Sequence, residues 1–429
     1  MKSAVKAVAL FTLPFTLFGA VLAHAQSVPG QFQHVIIVVQ ENRSPDNLFG
    51  GVPSPQPSQY PWFEPGVDLA IAPTSTHNPQ GGQPWCLGAC FDPGHENNGW
   101  VYENKNGYPA LNTNGCGLTT ATGNYHITYC NAQPVCGSTK SQSWYGCSQP
   151  SPINLPTWPE EGYVSTTYDG VGGQSVIAPY IQIATRWGFA NYFYQTNQGP
   201  SEPAHDFLFG GTSAPSGILA QGYYNYFDAN NPSSSPAGCE GTQQLEMINP
   251  DGNFKDQTYG GPVYLGPCFE HLTMSDLLET NKLTWKYYTP TPNGIWTAPN
   301  SIGHICLQSG TAPGSSTCNN TDFTVNVLPP SKFFKDLPSG GTNILTSDLC
   351  ALPNVAWIIP DGANSDHAGL KSPSDPYSTD IEGGPNWVAT IVNAVGQATC
   401  KEPAGPYAGQ PPWEDTVILV VWDDWGGWY

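Results

Sequence analysis

Residues His34–Gly50 read HVIIVVQENRSPDNLFG. Val35 to Val39 form an unbroken apolar run, β-branched throughout. Such a run predicts a strand buried on both faces, the usual state of a strand in a parallel sheet. At its carboxyl end the chain delivers Gln40, Glu41 and Asn42, then Arg43 and Ser44. In open α/β sheets, ligands sit just beyond the carboxyl ends of strands, so an acid and an amide there are candidates for holding a metal. The same pair would serve equally to cap the turn or helix that follows. The stretch alone does not choose between the two.

Working outward toward the amino end, Lys2 and Lys6 precede an apolar run from Ala7 to Ala23, and Ala23-His24-Ala25 fits a small-x-small cleavage site. Residues 1–25 have the form of a secretory signal peptide, cut before Gln26. The run is short for a membrane span, and Pro14 and Gly19 interrupt it. A secreted or periplasmic protein is expected, with no transmembrane segment. All 12 cysteines lie after residue 25, and an even count in an exported chain predicts disulfides. Six fall between Cys86 and Cys147, where staples are expected. Cys86 and Cys90 have no second pair at zinc-site spacing, so no zinc is expected there. The net charge of −20 makes nucleic acid a poor partner and argues against binding anionic membranes by charge.

Working outward toward the carboxyl end, helices are predicted over Pro179–Arg186, Thr273–Lys282 and Pro385–Ala398. The last has Val388, Ile391, Val392 and Val395 on one side. Strands are predicted over Phe189–Tyr194, Leu283–Tyr288, Val355–Ile359 and Thr416–Trp422. Stretches near 53–150 and 213–267 are rich in Gly, Pro, Asn and Ser and read as insertions, and 290–345 reads as loop-rich. Strands alternating with helices predict an α/β three-layer sandwich, with a mostly parallel central sheet and helices on both faces. Residues 26–429 are expected to form one domain carrying long disulfide-rich loop insertions.

Four polar clusters follow predicted strands: Glu41-Asn42, Ser201 with His205, the 361–367 segment with His367, and Asp423-Asp424. Parallel strands would place all four at one sheet edge. Each cluster alone is weak, since a Ser after Pro usually caps a helix and an Asp pair after a strand is often a turn. Together they suit phosphoryl transfer. Glu41, Asn42, Asp423 and Asp424 offer hard oxygen ligands for one divalent cation. The cation would activate a hydroxyl and polarise a phosphoryl oxygen. Ser201 would attack phosphorus, and histidines would bind the non-bridging oxygens and protonate the leaving group.

His34–Gly50 closely resembles the opening motif of the bacterial phosphoesterase family that includes non-specific phospholipases C and certain acid phosphatases, within the alkaline-phosphatase superfamily of α/β folds. The resemblance continues through Gly199-Pro200-Ser201-x-Pro203-x-His205, Leu283–Tyr288, the segment ending in His367, the helix from Gly383 to Ala398 and the last strand into Asp423-Asp424. It implies that Glu41, Asn42, Asp423 and Asp424 bind the metal and that Ser201 is the nucleophile. It implies phosphate-pocket roles for His95, His304 and His367. Asp424 stands where many relatives have Glu, and relatives commonly continue beyond Tyr429 with Asp-His. The resemblance therefore implies a catalytic domain truncated at its carboxyl end. The expected function is an exported metal-dependent phosphoesterase acting on a phosphomonoester or a phospholipid head group through a Ser phosphoenzyme. The alternative is a non-catalytic secreted binding protein on the same fold, inactive through the truncation. A sulfatase-like reading is weaker, because Ser201 is followed by Glu202-Pro203-Ala204-His205 rather than by a C/S-x-P-S/A-R signature.

Overall fold

The computed structural model describes residues 32–49, 177–190, 193–197, 199–214, 227–232, 235–248, 263–337, 349–367 and 383–426. Between 50 and 176 it describes only the strand segments Pro84–Trp85, Leu118–Ala121, Asn124–Ile127 and Tyr163–Val164. Residues 1–25, expected to be a signal peptide, the cysteines from Cys86 to Cys147, His95 and most of the stretch near 53–150 lie outside the described residues.

The central sheet is organised on β1 (His34–Gln40). Its other strands are β5 (Trp285–Tyr288), β6 (Val327–Leu328), β7 (Val355–Ile358) and β8 (Thr416–Trp422). The order across the sheet is β6-β5-β7-β1-β8, parallel at every pairing. β1 and β8 run together over their full length, from His34 opposite Thr416 to Gln40 opposite Trp422. The short strands β2 (Phe227–Asp228), β3 (Leu245–Ile248) and β4 (Val263–Leu265) form a separate antiparallel sheet within the stretch near 213–267.

Helices follow in the order α1 (Pro45–Phe49), α2 (Ala178–Arg186), α3 (Ser201–Gly210), α4 (Met274–Thr280), α5 (Gly303–Cys306), α6 (Thr321–Asn326), α7 (Pro330–Asp336) and α8 (Gly383–Gly396). Strand alternation sends the two faces of β1 into two cores. Ile36 and Val38 pack with Ile177, Tyr180, Phe333, Val388, Ile391 and Val395, contributed from around α2, α7 and α8. Val39 packs on the other face with Phe209 of α3, Leu278 of α4, Ile305 of α5 and Trp357. Removing each such side chain from water contributes about 1.5–3 kcal/mol, and this explains why the run had to be apolar on both sides. The chain is thus α/β, with a parallel five-stranded central sheet and helices on both faces.

Local signals hold where they were strong. Thr273 caps α4 in a capping box with Asp276, whose Oδ2 accepts from the Thr273 N–H at 2.7 Å. The stripe on α8 buries Val388, Ile391 and Val395. Phe189–Tyr194 is a correction. Residues 189–190 and 193–194 are irregular rather than strand, and Phe193 and Tyr194 are exposed. Aromatic content suggested a strand there, but the segment gains no ladder partner among the described residues. A second correction falls in 290–345, read as loop-rich, where the structure has the short helices α5, α6 and α7 as well as the two-residue strand β6. Disulfides join Cys239 to Cys268, Cys306 to Cys318 and Cys350 to Cys400.

Candidate active site

The tips of β1 and β8 are stitched together by backbone. The Asp423 N–H donates to the Gln40 carbonyl at 2.9 Å, and the Asn42 N–H donates to Asp423 Oδ1 at 2.9 Å. Asn42 has φ 56°, a left-handed conformation that Asn tolerates better than most residues. Gly426 closes the loop at φ 61°, and a Cβ there would lie 2.0 Å from the Asn42 carbonyl oxygen. Only glycine permits this approach. Glu41 and Asn42 are fully buried, and Asp423 and Asp424 nearly so.

The first residue of α3 is Ser201, preceded by Pro200 in extended backbone. Gly199 is required just upstream, since a Cβ there would lie 2.3 Å from the Ala229 carbonyl oxygen. Ser201 Oγ donates to Glu41 Oε2 at 3.1 Å and lies 3.4 Å from Asn42 Oδ1. The hydroxyl therefore sits at a helix N-terminus, which favours an anion, and against the acid and amide of the β1 tip.

One helical turn along, His205 faces the same way, as the i, i+4 spacing requires. Its Nε2 lies 2.9 Å from Glu41 Oε1 and 3.8 Å from Asp423 Oδ2, and its Nδ1 lies 3.1 Å from the Tyr287 hydroxyl. That hydroxyl donates to the Trp296 carbonyl at 2.8 Å. It must therefore accept from Nδ1–H, which assigns the imidazole lone pair to Nε2. Burial, partly offset by Asp423, lowers the His205 pKa to about 4. A lone pair thus faces two carboxyl groups. Burial first, then the charge of Asp423, pushes Glu41 well above the usual carboxylate range. Asp423 Oδ2 is buried with no hydrogen-bond partner. Ligand atoms of Glu41, His205 and Asp423 lie within 4.8 Å of one another. Converging acceptors with surplus negative charge fit a divalent cation held by nitrogen and oxygen donors. Asp424 lies beside them and adds to the field that raises Glu41.

The 361–367 segment is anchored to the same rim. Asp366 accepts from the Tyr180 hydroxyl at 2.7 Å and from Trp422 Nε1 at 3.0 Å, and its carbonyl accepts from Arg43 Nε at 2.9 Å. The His367 ring lies 6.3 Å from that of Trp296, the residue whose carbonyl fixes Tyr287. His304 is placed differently. Its Nδ1 lies 2.7 Å from Glu270 and its Nε2 3.1 Å from Asp276, two carboxylates outside the cluster around Ser201. Of the residues singled out from the sequence, Glu41, Asn42, Ser201, Asp423 and Asp424 come together. His367 is connected through Trp296.

Sequence reasoning grouped His205 with Ser201 but did not name it as a ligand. Its place one turn after the hydroxyl was the available signal. Tyr287 gave none, because its role depends on the β5 register.

An apolar groove of about 580 Å³ runs between α2 and β8 and reaches Asp423 and Asp424. Tyr180, Trp187, Phe193, Trp422 and Trp425 contribute to its walls. The profile of the Phosphoesterase family matches residues 32–429. No curated protein matches the chain.

Proposed function

The chain belongs to the phosphoesterase family and is a phosphoric ester hydrolase, and we propose that it is exported and works through a covalent phosphoserine at Ser201. The observation that carries this reading is the Ser201 hydroxyl at the start of α3, 3.1 Å from Glu41 and beside the Glu41–His205–Asp423 group. Glu41, Asp423 and His205, with Asn42 and Asp424 alongside, would hold one divalent cation. When bound, that ion supplies the positive charge that favours the serine alkoxide and polarises the phosphoryl group.

The chain's own residues do the rest. Glu41 Oε2 accepts from Ser201 Oγ–H and so aims the oxygen lone pairs away from β1. The Oγ–P bond forms as the bond from phosphorus to the ester oxygen breaks; Ser201 Oγ gives up its proton, and the leaving oxygen takes up one in its place. Water then attacks phosphorus, the P–Oγ bond breaks, and Ser201 regains its proton as phosphate leaves. Tyr287 keeps the proton of His205 on Nδ1 and so keeps Nε2 available as a donor atom. A role for His367 in binding phosphoryl oxygens is supported by its segment's anchoring to the rim through Asp366. The phosphate-pocket roles of His95 and His304 rest on the resemblance. The groove beside Asp423 supports an ester with an apolar substituent, as in a phospholipid. The acidic net charge favours a zwitterionic head group over an anionic one.

The test assays a chromogenic phosphomonoester and phosphatidylcholine with wild type and Ser201→Ala, with and without added divalent metal. Phosphate or phosphocholine release that needs Ser201 and a metal supports the reading, and the ratio of the two activities assigns the substrate type. Activity unchanged in Ser201→Ala would remove the nucleophile assignment. A folded chain inert with every metal would favour a binding protein.

A further inference from the structure

A second convergence of ligand atoms lies at the opposite end of the same two strands. His34 opens β1, Asp415 immediately precedes β8, and Glu402 comes from the loop after Cys400. β1 places this cluster roughly 20 Å from Glu41 at about 3.3 Å per residue. All three residues are buried, Asp415 completely, and their ligand atoms lie within 4.8 Å of one another.

The hydrogen bonds fix how the histidine faces. His34 Nδ1 lies 2.6 Å from the Pro353 carbonyl oxygen, which can only accept. Nδ1 therefore carries a proton, and Nε2 points at Glu402 Oε2, 3.0 Å away. A backbone carbonyl on the far nitrogen is the usual support of a metal-ligating histidine. The carboxylates are left short of donors. Glu402 Oε1 and both oxygens of Asp415 are buried without a hydrogen-bond partner. Unmet buried carboxylate oxygens are costly, and a single proton on the imidazole satisfies one contact among several.

We propose that His34, Glu402 and Asp415 bind a second divalent cation, of the zinc class, with a structural role. One imidazole nitrogen and two carboxylates match the borderline donor set of zinc. Donors about 2.0–2.2 Å from a tetrahedral zinc stand roughly 3.3 Å apart, close to the 3.0 Å between His34 and Glu402. Two carboxylates and a neutral imidazole carry the charge that a divalent ion cancels. The frame is already built. Cys350–Cys400 and the hydrogen bond from the Cys350 N–H to the Lys401 carbonyl at 2.9 Å hold the Glu402 loop against the segment before β7 that supplies Pro353. The Gln33 N–H donates to the Asp415 carbonyl at 2.9 Å and ties the other two ligands. The ion joins the starts of β1 and β8 to that loop. The inference is independent of the chemistry proposed at Ser201.

The full chain carrying E41Q/D423N, which disables the first cluster, is stripped with a chelator, dialysed against zinc and assayed for metal per chain and for melting temperature. The expected result is one tightly held zinc per chain and a zinc-dependent rise in Tm, both lost on adding Asp415→Asn. No zinc in E41Q/D423N, or zinc retained after Asp415→Asn, would overturn the proposal. Should Asp415→Asn fail to fold, Glu402→Gln on the same background replaces it. Zinc-edge anomalous diffraction from wild-type crystals decides independently: a peak among His34, Glu402 and Asp415 supports the site, and its absence there overturns it.

Discussion

The two ends of the β1–β8 pair carry matching chemistry and different surroundings. At each end a buried histidine has Nδ1 committed, to Tyr287 in one case and to the Pro353 carbonyl in the other, and presents Nε2 to two carboxyl groups. At the carboxyl end a serine hydroxyl on a helix N-terminus enters the group, and a groove reaches it. At the amino end the neighbours are a disulfide and loop backbone. The difference teaches that ligand geometry alone does not make an active site. What separates the ends is a nucleophile with access, and parallel strands put that opportunity at their carboxyl ends.

The strongest break of this comparison is Ser201→Ala. It should lower kcat/KM by about 10³-fold or more while metal content stays at the wild-type level. A drop in metal content of equal size would mean that the serine is a structural member of the cluster. The amino end should respond in the other currency. Cys350→Ser with Cys400→Ser should cost about 2–4 kcal/mol of stability, read by denaturant unfolding, and leave turnover at 25 °C within about twofold. Turnover falling in step with stability would merge the two ends into one functional unit. Between these lies Tyr287→Phe, which removes the acceptor holding the His205 tautomer. It should weaken metal binding at the carboxyl end about 10- to 100-fold, measured by titrating a chelated enzyme back to activity. Unchanged metal affinity would remove Tyr287 from the site.

Much of this was legible because it is local. The β-branched run of β1, the apolar run of β8, the stripe on α8 and the Thr273 cap each announce themselves within a few residues. So do Glu41-Asn42 and Asp423-Asp424, and once the strands are parallel their meeting follows from topology. β6 was hidden because two residues carry no period. Phe189–Tyr194 misled because strand propensity describes a side chain that fits a sheet, not whether a neighbour is there to pair with. Nothing around His34, Glu402 or Asp415 signals a cluster, since His34 and Glu402 stand 368 positions apart. The surroundings of His304 are equally non-local, for Glu270 reaches it across 34 residues.

The smallest expected effect concerns the acids buried behind the nucleophile. Glu202, Asp206 and Asp228 are almost fully buried. Burial raises all three, with Asp228 carried from 3.8 to about 8. Burial thus favours the neutral form of each beside the rim. In the fold Asp228 keeps its proton up to about pH 8, whereas the unfolded chain releases it near 3.8. Between those values the folded state binds the extra proton, so stability falls as pH rises. The contribution is complete below about pH 4 and is lost as pH passes through about 8. Asp228→Asn keeps the group neutral at every pH. Its Tm should therefore decline by a few degrees less than that of wild type between pH 5 and pH 8, with metal held saturating. Parallel Tm–pH curves for the two proteins would show that Asp228 is ionised in the fold. The carboxyl end would then differ from the amino end in charge as well as in its nucleophile.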